Sequence, residues 1–162
     1  NYVKLSTDVP KELNLVEFAQ AVKNQRMSVS GGPFVTVAIG NQGMGDTVDA
    51  TSKKVSVKIK VQAPTWVPVD TLRIFIGGKD GGDEVKTLTL DASTADPQNP
   101  VVRYDDSVEI SVSKDTWLIV VVQGKGTLDP VVRGGEPFAV TNPIFLDVDG
   151  NGTYDPPFSF PQ

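Results

Sequence analysis

Lys53-Lys54-Val55-Ser56-Val57-Lys58-Ile59-Lys60-Val61-Gln62-Ala63 decides the fold. Val55, Val57, Ile59 and Val61 take every second place and Ser56, Lys58, Lys60 and Gln62 the places between. Side chains alternate between the two faces of a strand, so this segment buries one face and wets the other, as strands of antiparallel sheets do. Working outward, Phe34 to Ile39 reads as the strand before it, and Leu72, Ile74 and Ile76 face one way on the strand after it. Val85 to Leu90 alternates too, with Val85, Thr87 and Thr89 set against Lys86, Leu88 and Leu90. Val101 to Tyr104 reads as a short strand, Asp105-Asp106 as a turn, and Val108, Ile110 and Val112 as the inward set of the next strand. Trp117 to Val122 does not alternate, which predicts a central strand covered on both faces, with Trp117 in the core. Phe138 to Leu146 is an apolar run suited to a last buried strand, passing without a break into Asp147.

These segments are separated by Gly-, Pro- and Asp-bearing turns. About seven or eight short strands with turn signals every eight to twelve residues predict an all-β fold, an immunoglobulin-like antiparallel β-sandwich. Residues 1–30 read separately. Asn14 is placed to cap a helix and Glu17 to complete a capping box, with Leu13 and Phe18 set for a hydrophobic staple. Leu15, Phe18, Ala19 and Val22 then recur on one face, predicting a short helix over residues 15–24. So short a helix needs a surface to dock on, either this sandwich or an upstream domain. The expected division is therefore a helical lead-in over 1–30, the tail of an upstream domain, and a sandwich over 31–162.

Composition removes several function classes. The chain of 162 residues has a formal net charge of −5, and no basic patch stands out that would neutralise nucleic-acid phosphates. It contains neither Cys nor His, which excludes disulfides, thiolate nucleophiles, zinc–thiolate sites, histidine-bound transition metals and the usual serine or cysteine triads. No apolar run approaches the length of a transmembrane helix. The chain begins at Asn1 without a charged and then apolar leader, as expected of a piece cut from a larger protein.

Hard cations held by oxygen remain open, and one segment has the spacing for them. In Asp147-Val148-Asp149-Gly150-Asn151-Gly152-Thr153-Tyr154-Asp155, Asp147, Asp149, Asn151, Thr153 and Asp155 fall on places one, three, five, seven and nine of a calcium loop, with Gly152 at the sharp turn of place six. Place twelve, where a bidentate Glu would close the shell, is Phe158. An oxygen from another loop or water must complete it, and weak, millimolar-range binding is expected. The same residues also make ordinary solvated turns. Asp46 is a further candidate ligand, more readily read as a turn residue. Paired acids such as Asp105-Asp106, or Asp80 with Asp83, would need a defined separation across a cleft to act as glycosidase acid and base, and adjacency shows none. Trp66, held between Pro64 and Pro68, either caps one end of the sandwich or presents a stacking platform for a sugar ring.

Several stretches taken in order carry a resemblance: Gln25-Arg26-Met27-Ser28-Val29-Ser30-Gly31-Gly32-Pro33-Phe34, Gly45-Asp46-Thr47-Val48, Ala63-Pro64-Thr65-Trp66-Val67-Pro68-Val69-Asp70, Asp115-Thr116-Trp117, Phe138-Ala139-Val140-Thr141-Asn142-Pro143-Ile144 and Asp147-Val148-Asp149-Gly150-Asn151-Gly152. Together they resemble the C-terminal region of PHP-type (polymerase and histidinol phosphatase) metallohydrolases, in the CehA/McbA-like branch. In that family an upstream histidine-rich barrel hydrolyses the substrate. This chain has no matching histidine, so the resemblance implies a non-catalytic β-sandwich appendage. The expected whole is a calcium-stabilised accessory domain of a larger secreted or cell-surface protein, extracellular or periplasmic, whose partner is the hydrolase-like domain of the same polypeptide. The rival expectation is a module binding carbohydrate or another surface ligand through Trp66, Tyr104 or the loops. An enzyme working with calcium and carboxylates alone is the remotest of the three.

Overall fold

The computed structural model describes residues 1–77 and 82–156. It is an all-β sandwich of two sheets with one short α-helix. Asp80 and Phe158, named above, lie outside the described residues.

The first sheet holds eight strands: β1 (Tyr2–Val3), β2 (Met27–Gly31), β5 (Thr47–Asp49), β7 (Thr71–Ile76), β8 (Asp83–Thr89), β10 (Thr116–Gln123), β11 (Phe138–Thr141) and β12 (Ile144–Asp147). The second holds β3 (Phe34–Ile39), β4 (Gln42–Gly43), β6 (Lys54–Gln62) and β9 (Val102–Ser111), in the order β4-β3-β6-β9. Every pairing is antiparallel except that of β12 with β5. The decisive alternation of β6 is realised in full, with Val55, Val57, Ile59 and Val61 all buried. They meet Leu72 and Ile74 of β7 and Leu118, Val120 and Val122 of β10 in one continuous core between the sheets.

Three expectations are corrected. Asp105 and Asp106 are not a turn but the middle of β9, because Lys58 and Lys60 of the neighbouring β6 hold Asp105 by ion pairs of 2.8 and 3.1 Å. The last apolar run forms two strands rather than one, broken at Asn142-Pro143, since proline has no N–H to give to a ladder. The strand from Trp117 to Val122 buries one face only: Leu118, Val120 and Val122 are inside, while Trp117, Ile119 and Val121 are half-buried on the outer face. Their cover comes from the side, because Phe75, Val140 and Phe145 stand opposite them in the same sheet and share that outer face. β1 and β2 also belong to the first sheet, β2 pairing with β11.

Helix α1 (Leu15–Lys23) is capped as expected, the Asn14 side chain accepting from the Val16 and Glu17 N–H groups. Glu17 does not close a capping box; its carboxylate accepts from the Ser6 N–H and hydroxyl. Of its side chains only Ala21 is buried, and Leu15, Phe18 and Val22 are exposed. Its apolar stripe therefore has no cover from the sandwich.

Candidate metal centre

The register of β10 against β12 pairs Thr116 with Leu146. One step further along the same ladder sets Asp115 opposite Asp147. Both are buried, at 8% and 4% exposure. Like charges directly opposite each other destabilise a sheet, and burial deepens the cost. None of the ion pairs among the described residues involves either carboxylate.

Main-chain donors surround them instead. Asp147 Oδ1 accepts from the Gly150 N–H and Oδ2 from the Gly152 N–H, each at 2.7 Å. Asp115 Oδ1 accepts from Val148 at 2.8 Å and Asp149 at 3.4 Å, and its Oδ2 from Asp155 at 2.9 Å. Burial pushes the Asp115 carboxyl up, but the N–H groups of Asp155, Val148 and Asp149 outweigh it and hold its pKa below the ordinary 3.8. Burial and the nearby Asp115 charge raise the Tyr154 phenol. The loop needs its glycines: Gly150 and Gly152 have φ of 78° and 85°, and a Cβ on Gly150 would meet the Thr51 methyl at 2.9 Å.

The result is a nest of turns. Asp147 accepts from the residues three and five places on, Asp149 Oδ1 from the Asn151 N–H at 3.0 Å, and Asn151 Oδ1 from the Thr153 N–H at 2.8 Å. One carboxylate oxygen each from Asp115, Asp147 and Asp149 lie within 4.8 Å of one another. Of the five ligands expected from sequence, Asp147 and Asp149 converge. Asp155 joins through Asn151, whose amide nitrogen donates to Asp149 Oδ2 at 3.2 Å and to Asp155 Oδ2 at 2.9 Å. Thr153 turns its hydroxyl to Asn151 at 2.6 Å and does not reach the acidic cluster. Asp46 is elsewhere, paired with Arg26 at 3.0 Å and accepting from the Gly43 N–H.

Asp115 lies outside the spaced acids of the loop. Its signal lies in the pairing of two strands distant in sequence, not in any local spacing. The donor set is all oxygen and suits a hard cation of the calcium type. A shallow depression beside it is lined by Lys53, Lys114, Asp115, Asp149 and Asp155.

At the turn between β6 and β7, Trp66 is 53% exposed, and it is Val67 beside it that enters a small apolar cluster with Ala63 and Leu128. Trp66 is therefore not a buried cap. Arg103 stiffens the turn by donating to the carbonyls of Ala63, Pro64 and Val67. Tyr104 is buried in the main core and presents no ring to a ligand.

No protein-family model, no curated protein and no solved structure matches the chain. Among the described residues no helix is long and apolar enough to cross a membrane.

Proposed function

We propose that this chain is a non-catalytic accessory domain whose terminal loop is fixed to the sandwich by calcium. The observation that carries the reading is the facing of two buried acids, Asp115 and Asp147, with an oxygen of Asp149 within 4.8 Å of theirs. Calcium would be held by these three carboxylates, with Asn151 and Asp155 contributing from the rest of the loop and Thr153, its hydroxyl turned to Asn151, offering its main-chain carbonyl. Asp115 supplies the carboxylate that place twelve lacks. An ion bound this way favours the folded state, because the ligands come together only when β10 and β12 pair. The resemblance noted in the sequence supports an origin in a larger secreted or surface PHP-type metallohydrolase-like protein, with an upstream hydrolase-like domain as the partner in the same polypeptide.

Calorimetric titration with calcium, together with thermal melting in calcium and in EDTA, tests the metal reading. Heat of binding and a melting point that falls in EDTA are expected; identical melts with no heat of binding overturn it.

A second reading is favoured by the half-exposed Trp66 on its braced turn: a module that stacks a sugar ring. Binding on a glycan array that disappears in Trp66→Ala supports it, and silence of the unaltered chain removes it.

A further inference from the structure

Strand β3 pairs with β6 along its whole length, but on its other side, among the described residues, only Ala38 and Ile39 are covered, by the two-residue β4. The tight turn at Gly40-Asn41 makes Ile39 and Gln42 a hydrogen-bonded pair. Alternate residues back along β3 therefore aim their main-chain groups to that same side. For Val35 this leaves an N–H and a C=O, and for Val37 an N–H, pointing past the end of β4.

What they point toward is the edge of another strand. β1 pairs with β2 alone, and the Lys4 N–H donates to the Arg26 carbonyl at 2.9 Å. Its neighbour Val3 consequently turns its N–H and C=O away from β2, toward β3. β1 and β3 do not pair with each other. Between them lies a slot of about 440 Å³ with Leu5 and Met44 in its wall. Tyr2 closes one end edge-on against Phe34, ring centroids 4.9 Å apart. At the other end Lys4 Nζ comes within 4.0 Å of where a Cβ on Gly43 would stand.

We propose that this slot binds an extended peptide segment of another protein by strand addition. Outward main-chain groups at Val35 and Val37 on one edge and at Val3 on the other are satisfied together by a third extended chain, which a compact small ligand cannot do. From Phe34 to Val37 the open edge is about 10 Å long at ~3.3 Å per residue, room for about three to four residues. Apolar side chains at alternate positions of the segment meet Leu5, Met44 and the lip of the core. The slot's charges define the remaining preference. Lys58 at its wall is engaged by Asp105 at 2.8 Å, Asp8 stands at the mouth, and no ion pair among the described residues involves Lys4. An acidic residue in the segment pairs with Lys4.

The test is a nitrogen-15 NMR titration with an acetylated, amidated heptapeptide of sequence Thr-Val-Asp-Val-Thr-Val-Thr, alongside the same peptide N-methylated at alternate residues. With the plain peptide the Val3, Val35 and Val37 amides shift, and at ten times the dissociation constant their solvent exchange slows about tenfold. The N-methylated peptide binds at least about tenfold more weakly, since it cannot complete the ladder. Lys4→Glu weakens the plain peptide about fivefold and Lys4→Arg retains it. Equal binding of the N-methylated peptide, or no shift of these amides at millimolar peptide, overturns the proposal. So does protection of the same amides by dimerisation of the chain alone, which would assign the slot to a second copy.

Discussion

The loop from Asp91 to Asn99 and the loop from Asp147 to Asp155 use the same local chemistry and arrive at different ends. In the first, Asp91 Oδ1 accepts from the Ser93 N–H at 2.7 Å and Asp96 Oδ1 from Gln98 at 2.8 Å and Asn99 at 3.2 Å. Both acids are exposed, and each serves only its own turn. In the second, Asp147 is buried and faces an equally buried Asp115 that comes from the start of β10, with Asp149 close by. The difference teaches that turn chemistry alone does not make a site. What distinguishes the second loop is a long-range strand pairing that forces carboxylates together out of water.

That contrast can be broken by experiment, and the largest effect is expected at Asp147. Asp147→Ala leaves the Gly150 and Gly152 N–H groups without their acceptor and should cost about 3–4 kcal/mol by urea denaturation in calcium. A cost below about 1 kcal/mol would place this loop on a par with the other. Withdrawal of calcium comes next. At a hundred times the dissociation constant the ion contributes about 2.7 kcal/mol, so melting in EDTA should occur about 8 °C lower for a domain of this size. Asp115→Asn, which retains an acceptor oxygen but removes the charge, should cost about 2 kcal/mol and abolish the response to EDTA.

The exposed loop sharpens the comparison from the other side. Asp91→Ala and Asp96→Ala should each shift the urea midpoint less than Asp115→Asn does, while leaving the calcium response intact. A lost response in either would show that the two loops are coupled. The Asp91 carboxyl is held below its ordinary 3.8 by the Ser93 hydroxyl and N–H and by the Thr94 N–H, against a small upward push from burial. A depressed folded-state pKa contributes stability that is present above the unfolded value and lost as pH falls through the folded one. Acid titration of stability should therefore decline below pH 3.8 less steeply in Asp91→Asn than in the unaltered chain. Trp66→Ala should be the mildest change, within about 0.5 kcal/mol, because half of that ring already stands in water.

Much of the sandwich was legible in local pattern. β6 could be read residue by residue because one of its faces is wet, and the Asn14 cap could be read because capping is settled within a few residues. Where cover comes from a neighbouring strand the pattern misleads: Trp117, Ile119 and Val121 look like residues buried from above, but they are sheltered from the side by Phe75, Val140 and Phe145. The stripe of α1 shows the same limit, since periodicity marks an apolar face without naming what will lie against it. At the acidic loop, spacing pointed to Asp147 and Asp149 but could not reach Asp115, whose place depends on the register of β10 and β12. The slot between β1 and β3 was equally hidden, because neither Tyr2–Val3 nor Gln42–Gly43 is long enough to leave a periodic trace.

β12 joins the sheet between β10 and β5, and its carbonyl at Asp147 also accepts from the Ala50 N–H at 2.7 Å. Segments that emerge from the ribosome before β12, around Thr47 and Asp115, thus wait for it to arrive before they are stitched together. A nascent chain halted at Gly135 would have most of its strands and no clasp, and a protease would find the early segments still loose.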